Sequence, residues 1–359
     1  MLLDTDVVRG DPIAAAEAVA LHHASDDAPG ITRKRSGKGF RYLDGTTAVR
    51  DAGTLARIRA LAIPPAWTAV WISPDPAGHV QATGRDARNR KQYRYHAKWR
   101  AVRDEAKYHR FVGFCAVLPR LRASVETDLA CRCLCKRKVL ATVLALMERA
   151  QLRVGNDEYA RTNGSYGATT LRDRHAKIRG SVLELAYRGK GGIERRIRVT
   201  DRRLARIVRS CRDLPGQRLF QYVEDGEIKA ISSTDVNDYV REVTGGPFTA
   251  KDYRTWAATL GASLLLCGLE TPETVAACKR CIKTMLGTVA AQLGHTPTVC
   301  RASYIHPRVL DDFSSGKLAT LAQQVRRRTE AAEIGVEALR AIEPVVARYL
   351  DETRKRRRA

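Results

Sequence analysis

Val182–Tyr187 (VLELAY) and Ile193–Val199 (IERRIRV) flank Arg188-Gly189-Lys190-Gly191-Gly192. Two strand-like runs around a glycine-rich break spell a β-hairpin, with Lys190 at or near its tip. The surroundings are helical. From about Val112 onward apolar residues recur at helical intervals, and between Lys138 and Leu152 the residues Val139, Val143, Leu144 and Met147 share one face. Ser233 or Thr234 reads as the N-cap of a helix closed by Gly245-Gly246. Thr271-Pro272 starts another, with Val275, Ile282, Val289 and Leu293 at helical spacing and Gly294 as its stop.

Upstream the signals change to strands and turns. Gly39–Asp44 alternates and ends in an Asp44-Gly45 turn, while Val70–Ile72 and Val80–Thr83 flank the turn-rich segment Pro74–Gly78. Asp51 to Leu61 carries a helical pattern that stops at Pro64-Pro65. The fold class expected is α+β: a small mixed α+β amino-terminal domain holding a sheet, and a larger, mainly α-helical domain with a small hairpin. The boundaries read as an extension over 1–30 with one short helix, an amino-terminal domain over 31–105, a helical domain over 106–350 and a basic tail over 351–359.

The 359 residues carry a formal charge of +24, which asks for a polyanionic partner. Nucleic acid and an anionic membrane both qualify, but no apolar run approaches the roughly 20 residues that span a bilayer. Hydrophobic residues make up 44% of the chain, enough for a packed core. Asp4 and Asp6 stand where a secretory signal would carry positive charge, so a cytoplasmic, nucleoid-associated location is expected. The nine cysteines then read as reduced thiols, small and buried, with a zinc site at Cys131-x-Cys133-x-Cys135 or Cys278-x-x-Cys281 the lesser reading.

Arg85 to Arg110 is the most polar stretch, with ten Lys or Arg against three acids and Tyr93, Tyr95, Trp99 and Tyr108 among them. Cations with interspersed aromatics suit contacts to phosphates and bases, and the acids within the stretch are too few to pair them all. Neither a Walker A motif nor a carboxylate cluster for magnesium is visible, so no cofactor and no metal are expected.

Five residues in chain order then draw together: Arg153, Lys190, Arg254, His295 and Tyr304. Attack on a phosphodiester builds negative charge on the nonbridging oxygens, and arginine forks can hold it where other enzymes use metals. A histidine can donate to one oxygen, a lysine on a hairpin tip can protonate the leaving alkoxide, and a phenol among cations can act as nucleophile. The resulting phosphotyrosine keeps the energy of the broken bond, so the strand can be rejoined without ATP. Taken singly, none of these residues is specific.

Taken together with their neighbours, they resemble the type IB DNA topoisomerases, in the short form of poxviruses and bacteria. Ile63-Pro64-Pro65-Ala66-Trp67 and Gly84-Arg85-Asp86 through Gln92-Tyr93-Arg94-Tyr95 are similar to the family's amino-terminal DNA-clamping domain. Arg153–Tyr159 with Gly167-Ala168-Thr169-Thr170-Leu171, Gly189-Lys190-Gly191, Lys251-Asp252-Tyr253-Arg254-Thr255, Gly294-His295-Thr296-Pro297 and Ser303-Tyr304 follow in order. The resemblance implies a monomeric, ATP- and metal-independent enzyme forming a C-shaped clamp around supercoiled double-stranded DNA. It implies Tyr304 as the nucleophile of a 3′-phosphotyrosyl link, with Arg153, Arg254 and His295 on the nonbridging oxygens. Lys190, together with Arg153, would expel the 5′-hydroxyl. Arg85, Arg88, Arg90, Lys91, Gln92, Tyr93, Tyr95 and Tyr159 are the implied DNA contacts.

Two other readings stay open on sequence. A tyrosine recombinase shares the catalytic logic, although its second arginine usually lies in His-x-x-Arg rather than Lys251-x-x-Arg254. A non-catalytic, nucleoid-type binder would account for the charge but not for the five ordered residues.

Overall fold

The structure, a computed structural model, describes residues 12–270 and 272–358. The readings placed on Asp4, Asp6 and Thr271 lie outside the described residues, as do the side chains of the basic tail from residue 352. The chain divides into two units, Met1–His109 and Arg110–Ala359.

In the first unit a short helix α1 (Pro12–Glu17) precedes an antiparallel sheet of six strands. These are β1 (Ile31–Ser36), β2 (Gly39–Asp44), β3 (Thr47–Ala48), β4 (Thr68–Ile72), β5 (Val80–Arg85) and β6 (Lys91–Tyr95), in the order β3-β2-β1-β4-β5-β6. Helix α2 (Ala52–Ala60) packs on it through Ile58, against Ile31, Val70, Ile72 and Ala82. Asp51 caps α2 by accepting from the Thr54 N–H at 2.6 Å.

Helix α3 (Ala97–Leu129) starts about fifteen residues before the helical pattern in the sequence does. Its first turns hold Lys, Arg and Ala, good helix formers with no apolar periodicity to announce them. Beyond it come α4 (Lys136–Ala150), α5 (Asp157–Asn163) and a three-stranded sheet of β7 (Ala176–Arg179), β8 (Val182–Arg188) and β9 (Glu194–Thr200). The expected hairpin is β8–β9; β7, lying on its edge, went unread in the sequence. Then follow α6 (Arg202–Arg212) and a two-stranded sheet, β10 (Gln221–Glu224) with β11 (Glu227–Ala230), also unread.

The remaining helices are α7 (Ser233–Thr244), α8 (Asp252–Cys267), α9 (Val275–Leu293), α10 (Pro297–Ser303), α11 (Pro307–Ser314), α12 (Ala319–Arg326) and α13 (Val336–Arg358). Two starts differ from the sequence reading. Ser232, not Ser233 or Thr234, caps α7, because Asp235 returns a bond to the Ser232 N–H at 2.8 Å and completes a capping box. Thr274 caps α9, so Pro272 lies before the helix. At the centre α8 is buried on nearly every side from Tyr253 to Cys267, which is why it shows no amphipathic stripe.

Cys115, Cys211, Cys267 and Cys300 are buried as expected, but Cys133 is exposed and Cys131, Cys135, Cys278 and Cys281 are partly so. The Cys131–Cys135 segment falls in the connection between α3 and α4, where side chains meet solvent. Among the described residues no His, Cys, Asp and Glu group is placed to hold a metal ion, and no helix is long and apolar enough to cross a membrane.

Candidate active site

Four of the five expected residues meet where α4, α8, α9 and α10 end or begin. Helix α4 terminates at Gln151 in the left-handed conformation, and the chain runs on through buried Leu152 to Arg153. A second loop is pressed against this one: the Ala168 N–H donates to the Arg153 carbonyl and the Thr169 N–H to the Val154 carbonyl, both at 2.7 Å. A Cβ on Gly167 would lie 2.7 Å from the Arg153 carbonyl oxygen and 2.6 Å from the Gly155 nitrogen. The spacing between Arg-Val-Gly and Gly-Ala-Thr-Thr is therefore a backbone-to-backbone contact that fixes Arg153.

Arg254 sits near the start of α8 and is only 5% exposed. Its Nη1 donates to the Gln151 carbonyl at 2.9 Å and its Nη2 to the Leu293 carbonyl at 2.6 Å. These oxygens cap the carboxyl ends of α4 and α9, where helix dipoles favour a cation. Two helix ends thus hold the guanidinium in place of a carboxylate. Its Nε is buried and has no hydrogen-bond partner among the described residues. Arg153 donates to the Gly294 carbonyl through Nη2 at 2.8 Å.

His295 follows the α9 stop at Gly294, with its N–H donating to the Ala290 carbonyl at 2.8 Å. Its Nε2 lies 2.7 Å from Arg254 Nη2 and its Nδ1 lies 3.1 Å from Arg153 Nη2. Arginine has no acceptor, so Nε2 accepts from Arg254 and the imidazole is neutral there. The charges agree. Burial, reinforced by Arg254, Arg153, Lys190 and Arg195, pushes the His295 pKa down to about 3. Burial also lowers Arg153, and together with the charge of Arg153 it brings Arg254 down to about 10.

Tyr304 ends α10, its N–H donating to the Cys300 carbonyl at 3.0 Å. Its own carbonyl accepts from Thr259 Oγ1 of α8 at 3.1 Å, so one helix carries Arg254 and also anchors the tyrosine backbone. The phenol ring stacks on His295, centroids 4.5 Å apart, with the Arg254 guanidinium 5.5 Å from its own centroid. Lys190 lies at the β8–β9 tip, exposed, before Gly191 and Gly192 with positive φ. It acts on His295 through space. Among the described residues no carboxylate pairs with Arg153, Lys190 or Arg254.

The expected DNA contacts fall in both units. Arg85, Arg88, Arg90, Lys91, Gln92, Tyr93 and Tyr95 belong to β5, β6 and their connection. Strand alternation puts Tyr93 and Tyr95 on one face, their rings parallel at 5.7 Å, and Gln92 on the other. Tyr93 is exposed. The stretch is better paired than its own acids suggest. Asp86 binds Arg90 at 2.6 Å and Gln92 at 3.0 Å, and Lys91 reaches Asp26, from the expected extension, at 2.8 Å. Arg85 donates to the Asn89 carbonyl, and the Arg88 N–H to Asp86. Tyr159 is exposed on α5, in the other unit.

Sequence reading missed Gln151, Thr259 and Arg195. The first two act through a backbone oxygen and one hydroxyl, for which no sequence pattern exists. Arg195 is one of several arginines on β9 and stands out only by what it touches.

Two family models match the chain. One, described as the catalytic core of eukaryotic DNA topoisomerase I, covers residues 96–332; the other, described as the amino-terminal domain of bacterial DNA topoisomerase IB, covers residues 39–86. A DNA topoisomerase 1B of Acanthamoeba polyphaga mimivirus is 36% identical, over 80% of this chain and 88% of the viral protein.

Proposed function

The chain belongs to the type IB DNA topoisomerases, and from that premise we propose that it relaxes supercoiled duplex DNA through a covalent 3′-phosphotyrosyl intermediate on Tyr304. One observation carries the reading: the buried Arg254 guanidinium, the half-buried Arg153 guanidinium and an imidazole converge beside one phenol, with no carboxylate among the described residues to neutralise them. Such a cluster is costly to keep and is relieved by an anion. A DNA phosphate is the anion that fits.

In the step proposed, the Tyr304 oxygen attacks phosphorus, its proton passes to solvent water as the neighbouring guanidiniums favour the phenolate, and the bond from phosphorus to the 5′-oxygen breaks. Lys190 gives a proton to that oxygen, leaving a 5′-hydroxyl. Arg153 and Arg254 hold the nonbridging oxygens, where charge grows as attack proceeds. An oxygen entering between Arg254 and His295 takes over the Nη2 hydrogen now given to Nε2. The imidazole can then take its other neutral tautomer, with the ring proton on Nε2 donated to that oxygen and Nδ1 accepting from Arg153 Nη2, 3.1 Å away. The duplex swivels about the intact strand, and the 5′-hydroxyl reverses the step. Charge stabilisation comes from the guanidiniums, and the phosphotyrosyl bond stores what rejoining needs, so neither ATP nor a metal ion is required.

The test is relaxation of negatively supercoiled plasmid in EDTA without ATP, wild type against Tyr304→Phe. A ladder of topoisomers with wild type alone, and protein left on DNA after denaturant with wild type alone, supports the reading. Relaxation by Tyr304→Phe, or strict dependence on magnesium or ATP, overturns it.

A further inference from the structure

Arg195 lies on β9, opposite Tyr187 of β8, and spans two parts of the site. Its Nη1 donates to the Ala291 carbonyl at 2.9 Å and its Nη2 to the Gln292 carbonyl at 2.6 Å, in the last turn of α9. Two glycines make room for it. A Cβ on Gly189 would lie 3.2 Å from Arg195 Cγ, and one on Gly294 would lie 3.1 Å from Cδ. Gly189 precedes Lys190 and Gly294 precedes His295. One side chain therefore rests on the backbone just before each of these two residues.

The hairpin tip has few other anchors. The Gly189 N–H donates to the Ile193 carbonyl within the tip, and the Tyr166 N–H donates to the Arg188 carbonyl, both at 2.8 Å. The Gly294 carbonyl on the far side is already committed to Arg153 at 2.8 Å. With one N–H of each Nη given to a carbonyl of α9, the Arg195 fork is turned onto protein backbone. Its charge adds to the positive field at the site while its hydrogen bonds fix geometry.

We propose that Arg195 is a positioning residue that yokes the Lys190 hairpin to the α9 end carrying His295, so that proton donor and oxyanion clamp keep one geometry. The inference rests on the chemistry proposed above for Lys190 and His295. Arg195 would touch no reacting atom.

The experiment is a double-mutant cycle on the full chain, reading the rate of covalent capture on supercoiled plasmid and, separately, duplex affinity. Arg195→Met keeps the stem and removes both donors. Capture should slow by roughly 10- to 100-fold, the cost of misplacing a catalytic group by about 1 Å, with affinity held within about twofold. Adding Lys190→Ala to Arg195→Met should then cost much less than Lys190→Ala costs in wild type, and His295→Ala should behave likewise. A mere helix cap would give fully multiplicative effects with both partners, and that result overturns the proposal. So does a loss of affinity as large as the loss of rate, with a shallower salt dependence, which would mark Arg195 as a phosphate contact. If Arg195→Met does not fold, Arg195→Lys is read in the same cycle, since one ammonium cannot reproduce the two-pronged hold. Covalent capture by Tyr304→Phe would sink the underlying chemistry whatever Arg195 does.

Discussion

Two arginine clusters lie inside the helical unit, built in opposite ways. In the first, Arg122 pairs with Glu148 at 2.8 Å and with Glu343 at 2.7 Å, and Arg340 pairs with Glu148 at 2.7 Å. The Trp256 indole donates to Glu343 at 2.6 Å. Two cations meet two anions. Burial pushes the Glu148 carboxyl up, yet Arg340 and Arg122 outweigh it and hold the group below its usual range. In the second cluster Arg153, Arg254, Lys190 and His295 share no carboxylate, and burial lowers both arginines. The balanced cluster closes on itself. The unbalanced one is held by carbonyls at helix ends and stays open to an anion. They are also joined: Glu148 lies on α4 just ahead of Arg153, and Trp256 lies on α8 just after Arg254. The neutral cluster braces the backbone under the charged one, which is how a site can stay electrostatically strained in a stable fold.

Breaking the first cluster should cost stability. Glu148→Ala leaves Arg122 and Arg340 short of a partner and should destabilise by about 3–5 kcal/mol, read from denaturant unfolding. A loss under about 1 kcal/mol, the range of an exposed pair, would mean the cluster is solvated rather than buried. Breaking the second should cost chemistry instead. Arg254→Met should slow covalent capture by about 10²- to 10³-fold, while its unfolding free energy falls by much less than that of Glu148→Ala. Equal losses of stability would erase the distinction.

An anion should sharpen it further. Inorganic sulfate, a tetrahedral dianion, should raise the melting temperature of wild type by filling the charged site, and less so in Arg254→Met. An equal rise in both proteins would place the effect elsewhere.

The last effect is read in pH. The folded pKa of His295 is depressed to about 3 from 6.5, so its contribution to stability is present above 6.5 and lost as pH falls toward 3. Subtracting the stability profile of His295→Gln from that of wild type should leave a difference that declines with acid between those limits. A flat difference would mean the imidazole is not held neutral.

How far the site was legible in the sequence depends on the kind of signal each residue gave. The hairpin around Lys190 was plain, because alternation and glycine report a turn locally. Arg153, Arg254, His295 and Tyr304 were legible only as ordered members of a motif set. The basic stretch from Arg85 looked unpaired because one of its acidic partners, Asp26, comes from far along the chain. The early start of α3 and the strands β7, β10 and β11 were hidden by weak or absent periodicity.

The sequence by itself determined the fold class, the family and the identity of the charged groups, because periodicity, turn chemistry and motif order are written locally along the chain. Only the tertiary structure decided what those charges do. That Arg254 is held by the ends of α4 and α9, that His295 is neutral, and that Arg195 lies against both Gly189 and Gly294 depend on residues far apart in the chain meeting in space. Charge pairing, desolvation and field are set by distances of a few ångströms, which no spacing along a chain encodes.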